Sequence, residues 1–353
     1  MTGDVLVLRA LGLGDALTGV AALRGVRRAW PDRRVWLAGP AATGALLRDL
    51  GVVDEVLVAG ELEPLDWRGS GHVAVNLHGR GPQSHRLLAA TRPAQLVGFA
   101  CEGFDEGPVF DVDEHDVERW CRLLRWAGGP CGPEDLRLPV RPAAEVPPGT
   151  VGEVVLHPGA AHGARRWPAE RFAAVAAALV ARGLRVAVTG SPDEAPLCAA
   201  VVGGARAALG RSRAEGAGAG GRRSVGGTGS PADDGAAGLV DLCGRLDLGA
   251  LVRRIAGARL LVCGDTGVAH VATAVGTPSV LLFGPVPPDL WRPLVDVERH
   301  AVLWHGVPGQ GGDGTADTLH PALAAVTVEE VLVAADDLLA RAPAAVPSGA
   351  VAG

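Results

Sequence analysis

The chain has 353 residues, which is enough for two domains of ordinary size, each with its own hydrophobic core. Hydrophobic residues make up 48% of the sequence and charged residues 20%, a composition that argues against a disordered chain and against a membrane-embedded one. The formal net charge of −6 gives no support to non-specific binding of nucleic acids, which requires a basic surface.

The amino terminus and the cysteines indicate a cytoplasmic protein. The first ten residues, MTGDVLVLRA, lack the basic start and the long apolar core of a signal peptide. No apolar run in the sequence approaches the roughly 20 residues that are needed to span a bilayer. The six cysteines show neither a Cys-x-x-Cys pair nor a Cys/His metal spacing, so we expect reduced thiols that serve packing.

The first half of the chain alternates short apolar strands with helical patterns. Strands are predicted at 4–10, 34–38, 56–58, 72–77 and 95–99, and helices at 16–30, 41–50, 84–91 and 116–126. This alternation predicts a mostly parallel, Rossmann-like sheet. Prolines and glycines are frequent over the segment that follows, 128–150, and we therefore predict an N-terminal domain over 1–148.

The second half of the chain repeats the alternation. Strands are predicted at 153–156, 184–189, 259–263 and 279–283, and helices at 170–182, 248–256 and 328–340. We predict a second Rossmann-like domain over 149–342 and a loose tail over 343–353. Residues 203–238 are rich in Gly, Ala, Ser and Arg without apolar periodicity, which predicts a disordered surface insertion.

The stretch LLVCGDTGVAHVATAVGTPSVLLFGP contains the first candidate site. An apolar strand is followed by Asp265, Thr266 and Gly267, after which a short helix begins. The backbone N–H groups at the start of a helix, at the positive end of its dipole, favour an anion such as a phosphate. His270 lies one turn after Thr266 on the same helix face and could reach the same ligand. An ordinary capped helix explains these residues equally well.

Three further strand-to-helix turns carry polar side chains. Asp15 follows the first strand in GLGD, where a carboxylate can act as a general base or cap the helix. Arg165 or Arg166, in HPGAAHGARRWP, could bind a phosphate or form a solvated surface pair. Glu194, in GSPDE, could accept hydrogen bonds from a ribose or a base, or cap a helix.

The glycine pair Gly12-x-Gly14 also suggests a dinucleotide site. However, Leu17 occupies the third glycine position of G-x-G-x-x-G, the second strand ends in AGP rather than in an acid, and the chain has no tyrosine. An NAD-dependent oxidoreductase or epimerase is therefore the weaker alternative. A non-catalytic protein that binds a sugar nucleotide is a third alternative, which only an activity measurement can exclude.

In combination and order, GLGDAL, HPGA…RRWPAERF, GSPDE and GDTGVAHVATAVGTP…LFGP resemble the heptosyltransferases of glycosyltransferase family 9, over roughly residues 4–340. The resemblance implies a GT-B architecture, in which two Rossmann-like domains face each other across a cleft. It implies an inverting transfer without metal or cofactor, from a nucleotide-sugar donor on the C-terminal domain, with ADP-heptose favoured. The acceptor, on the N-terminal domain, would be a glycan, a lipid-linked sugar or a small molecule, and a peripheral position at the inner face of a membrane is compatible with it.

The same resemblance implies roles for individual residues. Asp15 would be the general base that takes the proton from the acceptor hydroxyl, and Glu194 would contact the nucleoside. Arg165 stands where relatives carry lysine, and it would bind the donor phosphates. Asn76 stands where many relatives carry an acid. The remaining donor-binding positions would face the diphosphate and the sugar: Asp265, Thr266, Gly267 and His270.

Overall fold

The structure, a computed structural model, describes residues 3–140, 152–218 and 238–341. Close packing divides the chain into two units. The first unit contains the residues up to 140 together with 273–276 and 288–297, and the second contains the rest. Two short segments from the second half of the sequence thus pack with the first half. The predicted boundary at residue 148 lies outside the described residues.

The first unit is built on a parallel sheet of five strands in the order β3-β2-β1-β4-β5. The strands are β1 (Val5–Leu8), β2 (Val35–Gly39), β3 (Glu55–Val58), β4 (Val73–Asn76) and β5 (Gln95–Val97). The helices are α1 (Leu13–Thr18), α2 (Val20–Ala29), α3 (Ala41–Asp49), α4 (Gln83–Ala90) and α5 (Asp116–Trp126).

Strand β1 lies at the centre of this sheet, and all four of its side chains are fully buried. Complete burial explains its uninterrupted apolar sequence, because a parallel strand is covered on both faces. In the register of the sheet, Leu8 pairs with Ala38 on one side and with Asn76 on the other. The carboxyl ends of β1, β2 and β4 therefore meet at one edge.

The helix predicted over 16–30 is two helices, α1 and α2, which meet at Gly19. A Cβ atom at Gly19 would lie 2.8 Å from both Cδ and Nε of Arg9. The side chain of Arg9 thus occupies the space beside the junction. The apolar periodicity of the two helices is nearly continuous, which is why the sequence predicts a single helix.

The second unit is built on a parallel sheet of six strands in the order β11-β10-β9-β6-β7-β8. The strands are β6 (Val154–His157), β7 (Val186–Val188), β8 (Leu239–Asp241), β9 (Leu260–Gly264), β10 (Ser279–Leu282) and β11 (His300–Leu303). The helices are α6 (Ala169–Ala181), α7 (Ala195–Gly218), α8 (Leu248–Gly257), α9 (Gly267–Val275), α10 (Pro321–Ala325) and α11 (Val328–Arg341). The predicted α/β class with two Rossmann-like parallel sheets is confirmed.

Helix α7 corrects the predicted disordered insertion over 203–238. Residues 203–218 continue the helix that begins at Ala195, so the prediction is wrong for this part. Cys198, Val201 and Ala205 are buried in the core of the second unit, which anchors the first turns of the helix. Alanine and arginine are good helix formers, so the helix extends without apolar periodicity. Residues 219–237 and the predicted tail lie outside the described residues.

Across the described parts of the chain, no helix combines the length and the apolarity that crossing a membrane requires.

Candidate functional site

The turn from β1 to α1 places Asp15 at the carboxyl edge of the first sheet. Asp15 lies in the first turn of α1, and its side chain is 36% exposed. Gly12 precedes the helix, and a Cβ atom there would lie 3.8 Å from Oδ2 of Asp15. The strand order reverses its direction between β1 and β4, which is the point where open α/β sheets bind ligands. Asp15 therefore stands at the expected position of a ligand site.

A buried arginine lies next to Asp15. Nη2 of Arg9 is 4.0 Å from Oδ1 of Asp15 and 3.0 Å from Oδ2 of Asp116, while Nε donates a hydrogen bond to the Asp15 carbonyl. Arg9 is 1% exposed. The sequence motif contains Arg9 but indicates no role for it, and nothing in the local pattern around Asp116 indicates that this residue contacts Arg9.

His78 is a polar residue at the same edge that the sequence does not single out. It follows β4, and its Nδ1 accepts a hydrogen bond of 3.2 Å from the backbone N–H of Ala10. Burial lowers the pKa of His78, and the charge of Arg9 adds to this effect while Glu61 opposes it. A neutral ring that accepts at Nδ1 carries its proton on Nε2, so His78 can donate a hydrogen bond to a ligand. Its only sequence signal is a polar residue directly after a buried strand.

Asn76 organises the loop after β4. Its Oδ1 accepts from the N–H of His78 at 3.0 Å. Its Nδ2 lies 2.9 Å from Oγ of Ser84, 3.0 Å from Nδ1 of His85 and 3.2 Å from the carbonyl of Gly79. Asn76 is fully buried, so the amide serves the loop from within the fold.

The turn from β9 to α9 brings several predicted donor-site residues together in the second unit. Asp265 is buried, and its N–H bonds the carbonyl of Leu282 in β10. Thr266 and His270 are partly buried, one helical turn apart. Helix α9 begins at Gly267. The start of this helix thus lies at the carboxyl edge of the second sheet, as the sequence predicts.

Arg165 reaches this turn from the loop after β6. Its Nη1 lies 3.6 Å from Oδ2 of Asp265, and its Nε donates a hydrogen bond of 3.2 Å to the carbonyl of Gly314. The side chain is 29% exposed. A Cβ atom at Gly264 would lie 3.0 Å from the Arg165 carbonyl, so the glycine at the end of β9 permits this close approach. Arg166 instead donates from its Nε to the carbonyl of Ala160, so Arg165 is the one of the two arginines that approaches Asp265.

Glu194 lies at the same edge of the second sheet. Its Oε2 accepts a hydrogen bond of 2.7 Å from the N–H of Ser191. A Cβ atom at Gly159 would lie 2.0 Å from its Oε1, so the glycine after β6 provides the space that the carboxylate occupies. Glu194 therefore caps the helical turn, which is the alternative that the sequence leaves open, but the cap uses only Oε2 of its two carboxylate oxygens. Of the predicted site residues, Asp15 belongs to the first unit and the others to the second.

Within residues 3–140, 152–218 and 238–341, no group of three or more His, Cys, Asp or Glu side chains is arranged to hold a metal ion. The metal independence of the reaction stays a prediction.

Similar proteins of known structure share the fold. Escherichia coli ADP-heptose lipopolysaccharide heptosyltransferase II superposes with a TM-score of 0.69 and 21% identity, over 96% of this chain and 98% of that one. An E. coli heptosyltransferase solved with ADP-2-deoxy-2-fluoro heptose superposes with a TM-score of 0.62 and 16% identity, over 95% and 99% of the two chains. These likenesses confirm the predicted GT-B fold class.

Sequence comparisons agree with the structural ones. Lipooligosaccharide heptosyltransferase 2 of Haemophilus influenzae is 29% identical over 187 residues, which are 52% of this chain and 46% of the relative. The match therefore spans about half the length of this curated relative. The family model described as glycosyltransferase family 9 (heptosyltransferase) matches residues 110–208 and 232–306. The combined motifs, fold and family match show that the chain belongs to glycosyltransferase family 9.

Proposed function

We propose that the protein is an inverting glycosyltransferase that moves heptose from ADP-heptose to a hydroxyl group of an acceptor, with Asp15 as the general base and without a metal ion. The observation that carries the proposal is the approach of Arg165 to the turn before α9, where its Nη1 lies 3.6 Å from Oδ2 of Asp265. A cation and a helix start at one sheet edge are suited to a diphosphate.

The donor side would act on the leaving group. As the glycosidic bond to the diphosphate breaks, negative charge accumulates on the phosphate oxygens. The guanidinium of Arg165 and the positive end of the α9 dipole would stabilise this charge in place of a metal ion. Thr266, Gly267 and His270 would contact the diphosphate and the sugar. Asp265 would keep the guanidinium oriented through the ion pair.

The acceptor side would supply the nucleophile. The Asp15 carboxylate would take the proton from the acceptor hydroxyl. The hydroxyl oxygen would then attack the anomeric carbon from the face opposite the diphosphate. This geometry inverts the anomeric configuration. His78 would hold the acceptor oxygen or a neighbouring hydroxyl through Nε2–H, since its Nδ1 already accepts from Ala10.

The identity of the substrates rests on relatives. ADP-heptose is favoured because a structure of similar fold was solved with an ADP-heptose analogue. Glu194 would contact the nucleoside from its position against Gly159. A glycan acceptor is favoured because the Haemophilus relative is named for a lipooligosaccharide. A lipid-linked or small-molecule acceptor fits the same chemistry. The reaction would take place in the cytoplasm, and a lipid-linked acceptor would place it at the inner face of a membrane.

Thermal stabilisation by nucleotides tests the proposal. ADP, UDP, GDP, CMP and NAD are compared with and without EDTA, because a ligand that binds the folded state raises its melting temperature. We expect a selective rise with ADP that EDTA does not remove. A selective rise with UDP or GDP would contradict the ADP donor, and a response to NAD alone would overturn the transferase in favour of an oxidoreductase.

A further inference from the structure

The surroundings of Asp15 contain an ionic network that the proposed reaction does not itself use. The side chain of Arg9 is buried between the junction of α1 and α2 and helix α5, and its guanidinium lies 4.9 Å from the centre of the Trp120 ring. A buried charge is costly unless all of its donors are paired. The partners of Arg9 therefore indicate what the residue holds in place.

Arg9 binds main-chain carbonyls of two elements at the carboxyl edge of the first sheet. Its Nε donates to the carbonyl of Asp15, and its Nη1 donates to the carbonyl of Leu77, directly after β4. The Asp15 carbonyl also accepts from the N–H of Gly19 at 3.1 Å. One planar guanidinium thus ties the first turn of α1 to the end of β4, in a geometry that only the fork of an arginine provides.

Asp116, at the start of α5, holds Arg9 in turn. Its Oδ2 accepts from Nη2 of Arg9 at 3.0 Å and from the hydroxyl of Thr18 at 2.6 Å. Its Oδ1 accepts from Nε1 of Trp120 at 2.9 Å and from Nη1 of Arg119 at 3.1 Å. Because each oxygen accepts two hydrogen bonds, the carboxylate is held in a single orientation.

The same network leaves the Asp15 carboxylate close to a positive charge without a hydrogen bond from it. The separation of 4.0 Å between Nη2 of Arg9 and Oδ1 of Asp15 is too long for a hydrogen bond, yet short enough for attraction. A base that had to break a hydrogen bond to arginine before taking a proton would be a weaker base. Arg9 therefore fixes the main chain of Asp15 without holding its carboxylate by a hydrogen bond.

We propose that Arg9 and Asp116 are positioning residues for Asp15: Asp116 orients Arg9, and Arg9 holds the turn that carries the base. This inference rests on the proposed function, because it assigns a purpose to the placement of Asp15. It adds that helix α5, about a hundred residues further along the chain, takes part in setting the geometry of proton transfer.

The test compares Asp116→Asn with a matched control, Glu153→Gln. Glu153 forms the other buried pair of this kind among the described residues, with Nε of Arg254 at 2.5 Å and Nη2 at 2.8 Å. Glu153 lies directly before β6, at the amino end of the strand and therefore at the edge of the sheet opposite the carboxyl ends of the strands. Both substitutions replace a buried carboxylate that binds an arginine, so their effects on stability should be alike.

We expect Asp116→Asn to lower kcat by about 10- to 100-fold and to leave the KM for the donor within about twofold, because a small displacement of a reacting group is costly. Glu153→Gln should keep kcat within about twofold. Thr18→Val, which removes one partner of Asp116 and keeps the side-chain shape, should lower kcat by a smaller factor and serves if Asp116→Asn fails to fold.

Hydrogen exchange provides a readout that needs no substrate. The amide of Gly19 and the peptide over α1 should exchange at least about tenfold faster in Asp116→Asn than in Glu153→Gln, relative to the rest of the first sheet. Unchanged exchange in α1, or equal losses of kcat in the two variants, would overturn the inference. A wild-type protein without turnover on any nucleotide-sugar would instead count against the proposed function, while faster exchange in α1 would still support the network.

Discussion

Arg9 and Arg165 show two uses of the same side chain. Each lies near a turn from a strand to a helix and each approaches an aspartate, Asp116 at 3.0 Å and Asp265 at 3.6 Å. Their burial differs sharply, because the side chain of Arg9 is 1% exposed and that of Arg165 is 29% exposed. Arg9 also donates to two main-chain carbonyls and to a hydroxyl.

The difference follows from the cost of removing a charge from water. A fully buried guanidinium needs partners from the protein itself at every donor, so Arg9 is committed to the fold. A partly exposed guanidinium has lost less hydration and can exchange a partner for a ligand anion. In the proposed roles, exposure rather than the presence of an ion pair separates Arg9, which would position the base, from Arg165, which would bind the donor.

The largest effect should come from the base, which neither arginine can replace. Asp15→Ala should abolish glycosyl transfer and change the affinity for ADP by less than about twofold, because the carboxylate would act on the acceptor alone. Initial rates and calorimetric titration measure the two quantities. Asp32→Ala, at an exposed acid of the same unit, is the control and should keep full turnover. Turnover retained by Asp15→Ala would remove it from the role of base.

The next effect is on stability and contrasts the two arginines directly. Arg9→Met should lower the free energy of unfolding by about 3–5 kcal/mol, because it removes one of the two arginines that pair with the buried Asp116 and a donor to two main-chain carbonyls. Arg165→Met should cost less than about 1 kcal/mol, since its guanidinium is 29% exposed and lies 3.6 Å from Asp265. Urea denaturation of the two variants measures the difference. Equal losses would break the distinction between a positioning and a binding arginine.

The affinity for the donor should depend on Arg165, the arginine with the smaller expected effect on stability. Arg165→Ala should weaken ADP binding by about 1.5–3 kcal/mol, the usual value of a charge-assisted hydrogen bond. Arg166→Ala is the matched control, because this neighbour bonds the carbonyl of Ala160 and should leave ADP affinity unchanged. Titration calorimetry gives both values. An unchanged affinity in Arg165→Ala would exclude it from the donor site.

The smallest effect is a loss of stability at low pH, and it extends the comparison to the two units. Among the described residues, burial lowers the pKa of at least five histidines below the ordinary 6.5, so the folded state binds fewer protons than the unfolded state just below that pH. Stability is therefore present above about pH 6.5 and is lost as the pH falls through this value. The first unit holds His72, His78, His85 and His115, and the second holds His157.

Urea denaturation and hydrogen exchange at about pH 7.5 and about pH 5.5 measure this loss. We expect lower stability at the lower pH, with protection lost first in the sheet of the first unit. Equal stability at the two pH values would contradict the neutral state of the buried histidines.

Local pattern was sufficient for much of the fold. Helix α5 has the bounds 116–126 that its sequence predicts, and β9, α9 and β10 follow one another as expected. The pattern does not predict β8, which begins directly after the Gly- and Ala-rich tract, or β11, which begins with a histidine. It also predicts disorder over 203–218, where packing against α6 anchors a helix that lacks periodicity.

The sequence by itself determined the elements and the polar residues at their turns, including Asp15, Arg165 and Asp265. Strand and helix periods depend on neighbours within a few positions, so they can be read along the chain. Only the tertiary structure decided which charges are paired and which are exposed. The contact between Arg9 and Asp116 joins residues 107 positions apart. Such pairing depends on how helices pack over a sheet, and burial then sets the cost that separates Arg9 from Arg165.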